Sequence, residues 1–220
     1  MPVLVWDAVA EHFFETGVDH GILFPMDENG DYTKGIVWNG LISVTEKPSG
    51  AEPSPMYADN IKYLNLMSAE EFGATIEAYT YPDEFGVCDG SIEAKTGLLI
   101  GQQPRRGFGL CYRTKVGNEV VGDALGYKLH IVYNCIAAPS EKAYSTINDT
   151  PEAITFSWEI STTPVAIDGY QASACLTVDS READEDALGV LEDLLFGTAG
   201  VDSALPTPAE VIAALTPSAG

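Results

Sequence analysis

Tyr127-Lys128-Leu129-His130-Ile131-Val132-Tyr133 decides the fold, because its side chains separate at a period of two. Tyr127, Leu129, Ile131 and Tyr133 fall on one face, and Lys128, His130 and Val132 on the other. A helix would scatter these aromatic and β-branched residues around its circumference, so the stretch predicts a strand. The same alternation recurs on both sides of it. Residues 154–160 turn Ile154, Phe156, Trp158 and Ile160 inward, and residues 72–78 set Phe72, Ala74, Ile76 and Ala78 against Thr75 and Glu77. Shorter strand-like runs lie at residues 21–24, 36–38, 40–45, 60–66, 98–100 and 108–114. Many short alternating strands separated by turns indicate a mainly β chain, an antiparallel β-sandwich or barrel.

The punctuation supports this reading. Asn29-Gly30 is a strong hairpin signal, since both residues tolerate positive φ. The surrounding acids Asp27, Asn29 and Asp31 imitate the start of a calcium loop, but Tyr32 replaces the required glycine and Trp38 the closing glutamate. Residues 46–55 hold three prolines and no periodicity, which predicts a long exposed connection rather than a sheet element. Residues 183–196 predict one α-helix, with Leu188, Leu191, Leu194 and Leu195 as its apolar stripe. Asp184, Glu185 and Asp186 crowd its first turn and Gly197 ends it. Thr207 opens a last short helix, and the final residues from Thr216 are expected to be loose. Val5, Val9 and Phe13 recur every four residues along an N-terminal arm. The expected organisation is an arm at 1–17, a β-domain at 18–180 and a C-terminal helix and tail at 181–220.

With 11 basic and 33 acidic residues the formal charge is −22. Such a surface repels phosphate and anionic lipid, which argues against sequence-reading nucleic-acid binding. The first residues lack a basic flank and no stretch has the length of a membrane span, so neither a signal peptide nor a membrane helix is expected. Cys88, Cys111, Cys135 and Cys175 have no metal-clip spacing and are expected as reduced core residues. Cys111 with His130 is the only candidate nucleophile–base pair, and strand alternation already accounts for both. Trp38, Trp158 and the tyrosines offer a second possibility, a monomeric carbohydrate-binding sandwich that stacks aromatic rings on sugar. No enzyme, metal or cofactor is expected. Seven of the 11 basic residues lie between positions 95 and 142, Arg105-Arg106 being the only adjacent pair. Beyond Thr150 a single cation, Arg181, stands against twelve acids, so Arg105 and Arg106 are candidates to meet Asp184, Glu185 and Asp186 of a neighbouring copy.

Taken in order, residues 56–64, 79–85, 108–114, 126–130, 140–149, 153–159 and 162–165 resemble the major tail protein of long-tailed bacteriophages, the tail tube subunit. The resemblance is dense over about half the chain. It implies a tail-tube β-sandwich whose strands complete a shared β-barrel in a hexameric ring, with rings stacked into a hollow tube. It also implies partners: further copies of the chain, a tape measure protein in the lumen, tail tip and tail terminator proteins, and DNA that passes without specific binding. No membrane partner is implied. The location implied is the virion tail, after synthesis in the bacterial cytoplasm. By the same resemblance residues 46–60 form the loop between rings, with Pro48, Glu52, Pro53, Pro55, Tyr57 and Asp59 as contacts. Glu77, on the polar face of its strand, is the candidate lumen residue.

Overall fold

The computed structural model describes residues 4–147, 149 and 152–216. The strands are β1 (Phe13–Pro25), β2 (Ile36–Trp38), β3 (Leu41–Glu46), β4 (Ser49–Gly50), β5 (Pro53–Ala58), β6 (Ile61–Met67), β7 (Glu70–Glu71), β8 (Gly73–Ala78), β9 (Ile92–Lys95), β10 (Leu98–Ile100), β11 (Phe108–Asn118), β12 (Gly122–Ala137), β13 (Phe156–Thr162) and β14 (Cys175–Asp179). A 3-10 turn (Asp83–Val87) precedes β9, and the helices α1 (Glu185–Phe196) and α2 (Pro208–Ala214) close the chain. The chain is mainly β and antiparallel, as the alternation predicts.

One sheet dominates, in the order β2-β1-β11-β12-β13-β8-β3, with β14 beside β12. Its end strands β2 and β3 are joined only by Asn39 and Gly40, so the sheet must curl until its ends meet. Gly40 takes the positive φ of 79° that this tight turn needs. Where β3 meets β1, a Cβ on Gly21 would lie 2.3 Å from Leu41 Cδ1, so glycine permits the closure. Of the expected sandwich or barrel, the chain forms a single main sheet whose end strands meet.

β12 is buried on both faces. Val132, Cys135 and Ala137 point into the curled sheet, where they join Trp38, Phe85, Phe108, Leu110, Tyr112, Ile76 and Trp158. Leu129, Ile131 and Tyr133 point outward, where they join Ile22, Phe24 and Cys111 beneath Leu188, Leu191 and Leu195 of α1 and Val211 of α2. Asn134, at φ 50°, breaks the alternation so that Val132 and Cys135 share the interior. Inside, Phe85 sits 4.7 Å from the Trp38 ring and 5.1 Å from Trp158. The 3-10 turn behind Pro82 delivers this ring. The Trp38 indole donates to Thr80 O at 3.0 Å, whereas the Trp158 Nε1 has no partner among the described residues.

The helices form as their sequence signals require. Asp184 caps α1 by accepting from Ala187 N at 3.1 Å, and Gly197 leaves it at φ 76°. Thr207 and Glu210 make a capping box on α2 with Pro208 leading. One expectation changes. Phe13 to Thr16 belong to β1, paired with residues 115–118 of β11, so the arm is shorter than residues 1–17. Residues 217–220, expected to be loose, lie outside the described residues.

Leu191 is fully buried between α1 and the sheet. Leu191→Ala should cost about 2–5 kcal/mol, read as a lower urea midpoint with unchanged slope.

Candidate assembly surface

Residues 46–60 are not a structureless connection. They are the outgoing half of one long hairpin that leaves the curled sheet as β3 and returns as β8. Val44 pairs Ile76, Ser49 pairs Glu71, Pro53 pairs Met67 and Met56 pairs Leu64, so the partner numbers keep one sum as far as Met56, beyond which a shift at Tyr57 leads into the turn. The register survives both gaps in the ladder. Asp59 and Asn60, at φ 52° and 61°, reverse the chain as the two central residues of a tight turn. Pro53 and Pro55 are two apart, so their missing N–H groups fall on the same outer edge, where no partner strand needs them. From Glu46 to the turn the arm extends roughly 40 Å at about 3.3 Å per residue.

The head of this arm has no core. Every residue of β5 and β6 is exposed. Met56, Tyr57, Ile61, Tyr63, Leu66 and Met67 all present large apolar surface to solvent, Tyr57 being 71% exposed. A lone two-stranded ribbon is marginal in water, and a flat apolar one with open edges is a template for further pairing. The arm therefore leaves its apolar side chains and both outer strand edges exposed.

Its root is fixed by a half-buried polar cluster around Tyr112 and His130. Tyr112 stacks on His130 at 4.6 Å and donates to Glu46 Oε1 at 2.9 Å. His130 Nδ1 lies 3.7 Å from the same carboxylate, and its Nε2 lies 3.0 Å from the Thr114 hydroxyl. The Thr177 hydroxyl lies 3.4 Å from Nδ1, and the Lys128–Glu15 ion pair is nearby. Burial pushes the His130 pKa down, against the opposing pull of Glu46 and Glu15. Above the cluster Lys47 N donates to Gly73 O at 2.7 Å, and Ala51 N to Ser68 Oγ at 3.0 Å. Gly50 is obligatory in this neck, since a Cβ there would meet Ala69 O at 2.4 Å.

Of the residues singled out in the sequence, Pro48, Glu52, Pro53, Pro55, Tyr57 and Asp59 are all exposed along this arm. Glu77 lies on the outer face of β8, where it accepts from Ser43 at 3.0 Å and pairs across to Ser157. Thr45, Thr75 and Glu159 form the next row, so the β3–β8–β13 surface is polar and acidic. Arg105 and Arg106 both have partners within the chain. Arg105 lies 3.4 Å from Asp89 and donates to Ala137 O, and Arg106 lies 2.9 Å from Glu28. Asp184 is occupied as a cap, while Glu185 and Asp186 stay exposed in the first turn of α1. Sequence reasoning missed the hairpin because three prolines read as a break. Asp59-Asn60 between apolar runs was its available signal.

The chemical candidates come apart. Cys111 faces the helices, whereas His130 stacks on Tyr112 on the opposite face, so they form no dyad. Burial raises the Cys111 thiol to about 12. Trp38 and Trp158 are 2% and 0% exposed, so neither ring is available to stack on sugar. Among the described residues no three His, Cys, Asp or Glu side chains gather as metal ligands, and no helix is long and apolar enough to cross a membrane. No protein-family model matches the chain, nor does any curated protein.

In the unfolded chain His130 takes its proton near pH 6.5, and burial delays this to lower pH in the fold. The stability held by the neutral ring is complete above that value and is lost as pH falls through the folded one. Melting temperature should therefore drop as pH falls below about 6.5, and His130→Gln should flatten that drop in a thermal-melt series.

Proposed function

We propose that the chain is the repeating subunit of a bacteriophage tail tube, with hexameric rings stacked into a hollow conduit for DNA. The observation that carries this reading is the unsupported hairpin of β5 and β6, a roughly 40 Å projection whose apolar side chains have no partner on their own chain. In a stack, each arm docks on the adjacent ring and its open edges find backbone partners there. The ribbon then gains the third layer that a two-stranded hairpin lacks. The resemblance over residues 56–64 falls on this arm.

Two further features support the same arrangement. The β3–β8–β13 face is bare of helices and carries Glu77 and Glu159 among serines and threonines, which suits a lumen that DNA crosses without sticking. Strand edges that are a hazard in a monomer become the closure of a shared barrel in a ring. The tape measure protein occupies the lumen during assembly, and the tail tip and terminator proteins cap the ends. The site of action is the virion tail, reached from the bacterial cytoplasm.

Negative-stain microscopy of concentrated protein tests this. Rings or hollow tubes are expected for the intact chain. Replacing residues 53–67 with a short turn should abolish tubes while the melting temperature of the remaining sheet stays near that of the intact chain. Tubes that persist without the hairpin would overturn the reading.

A further inference from the structure

A second apolar feature lies on the outer face of β1, beside β2 and the end of α1. The β1 strand carries a bulge between Asp19 and Ile22, with His20 held at φ 51°. Non-glycine residues in that conformation are uncommon, and bulges re-aim side chains. Here the bulge brings the His20 ring to 6.0 Å from Phe196 at the end of α1. Between them opens a mostly apolar pocket of about 240 Å³ lined by His20, Ile22, Val37, Leu195, Phe196 and Ser203. Gly35 forms its floor: a Cβ there would meet Ser203 Oγ at 2.4 Å and Phe24 Cε1 at 2.7 Å. The pocket is smaller than a small-molecule site of about 300 Å³ or more, and fits one large side chain.

The chain also carries a side chain without a seat. Trp6 is 75% exposed, on an arm where Leu4, Val5 and Val9 are equally bare. Asp7 and Ala10 bend this arm at φ 55° and 74°. Its base is pinned, because Ala10 N donates to Glu119 Oε1 at 2.6 Å and Ala10 O accepts from Asn118 Nδ2 at 3.0 Å.

We propose that Trp6 of one copy seats in the His20–Val37–Phe196 pocket of a second copy. The arm as folded does not reach the pocket of its own chain. Counted on β11, the pocket lies opposite Tyr112, six residues and ~20 Å at about 3.3 Å per residue from Asn118, where the arm is pinned. The four residues from Ala10 back to Trp6 span at most ~14 Å when fully extended, and the positive φ of Asp7 and Ala10 shortens that span. Charge agrees with a second copy as occupant. Asp7 beside Trp6 has a 92% exposed side chain, and Glu11 follows it on the arm. In a chain of 33 acids and 11 cations, the pocket rim is close to balanced. Exposed Lys34 adjoins Gly35 and His20 lines the pocket, against Asp202 beside Ser203, while the Asp19 carboxylate is held by Arg113 at 2.7 Å. An acidic arm lands there with less repulsion than on the rest of this surface. The contact is heterologous, arm to pocket, and such contacts repeat around a ring or along a filament. It rests on the assembly reading and assigns that assembly a second joint, independent of the hairpin.

The test compares the intact chain with Trp6→Ala, Val37→Glu and an equimolar mixture of the two variants, by sedimentation velocity over a concentration series. Val37 is 64% exposed, so neither change disturbs the core. Each variant alone should associate at least about tenfold more weakly than the intact chain. The mixture should recover a heterodimer, because an intact arm then meets an intact pocket. Acrylamide quenching of Trp6 should fall as the intact chain associates, Trp38 and Trp158 being already shielded. If copies associate while both variants match the intact chain, the pocket contact is wrong and the assembly reading stands. Impaired variants that do not rescue each other also overturn the pairing. An intact chain that stays monomeric at every concentration overturns both.

Discussion

β12 is covered on both faces and hydrogen-bonded on both edges, and the rest of the molecule depends on this. β11 runs along one edge, while β14 and β13 divide the other at Val132 and Cys135. One set of its side chains closes the interior of the curled sheet and the next set holds α1 and α2. A strand so enclosed cannot slip, since a shift of one residue would exchange two apolar faces of different shape. The sheet therefore has a rigid, helix-backed half around β1, β11 and β12, and a bare half around β13, β8 and β3. The long hairpin grows out of the bare half.

That division gives the exposed apolar residues a common cause. A chain of this size hides its tryptophans, phenylalanines and leucines well wherever the helices or the curled sheet can reach them. About half of the large apolar side chains that stay exposed lie on three projections: the head of β5 and β6, the small hairpin of β9 and β10, and the N-terminal segment before β1. Projections cannot bury their side chains on themselves. On the proposed reading they are paid for by neighbouring copies, and the polar rows of Ser43, Glu77 and Ser157 stay wet. A net charge of −22 opposes crowding of copies, so apolar joints must outweigh a screened repulsion.

The sequence told most where a single face had to be buried. Residues 72–78, 127–133 and 154–160 alternate because one side of each strand meets a core, and the strands stand where the pattern puts them. The caps of α1 and α2 were equally legible, since Asp184 and Thr207 act through backbone groups a few residues away. The curled closure was not, because it depends on which distant strands meet, and only the two-residue link from β2 to β3 hints at it. The hairpin was misread because proline rules assume a strand bonded on both edges. A ribbon with one open edge per strand accepts Pro53 and Pro55 freely. The pocket at His20 lay beyond sequence reasoning, since a bulge is a property of pairing rather than of residue type.

The central claim is that β5 and β6 form a ribbon made stable by another copy of the chain. Amide hydrogen exchange over residues 53–67, measured in dispersed protein and in concentrated assemblies, addresses it most directly. The account predicts fast exchange in the dispersed chain, beside slow exchange in β11 and β12, and strong protection of the same amides on assembly. Protection already present in the dispersed chain, or fast exchange that persists in assembled protein, would contradict it.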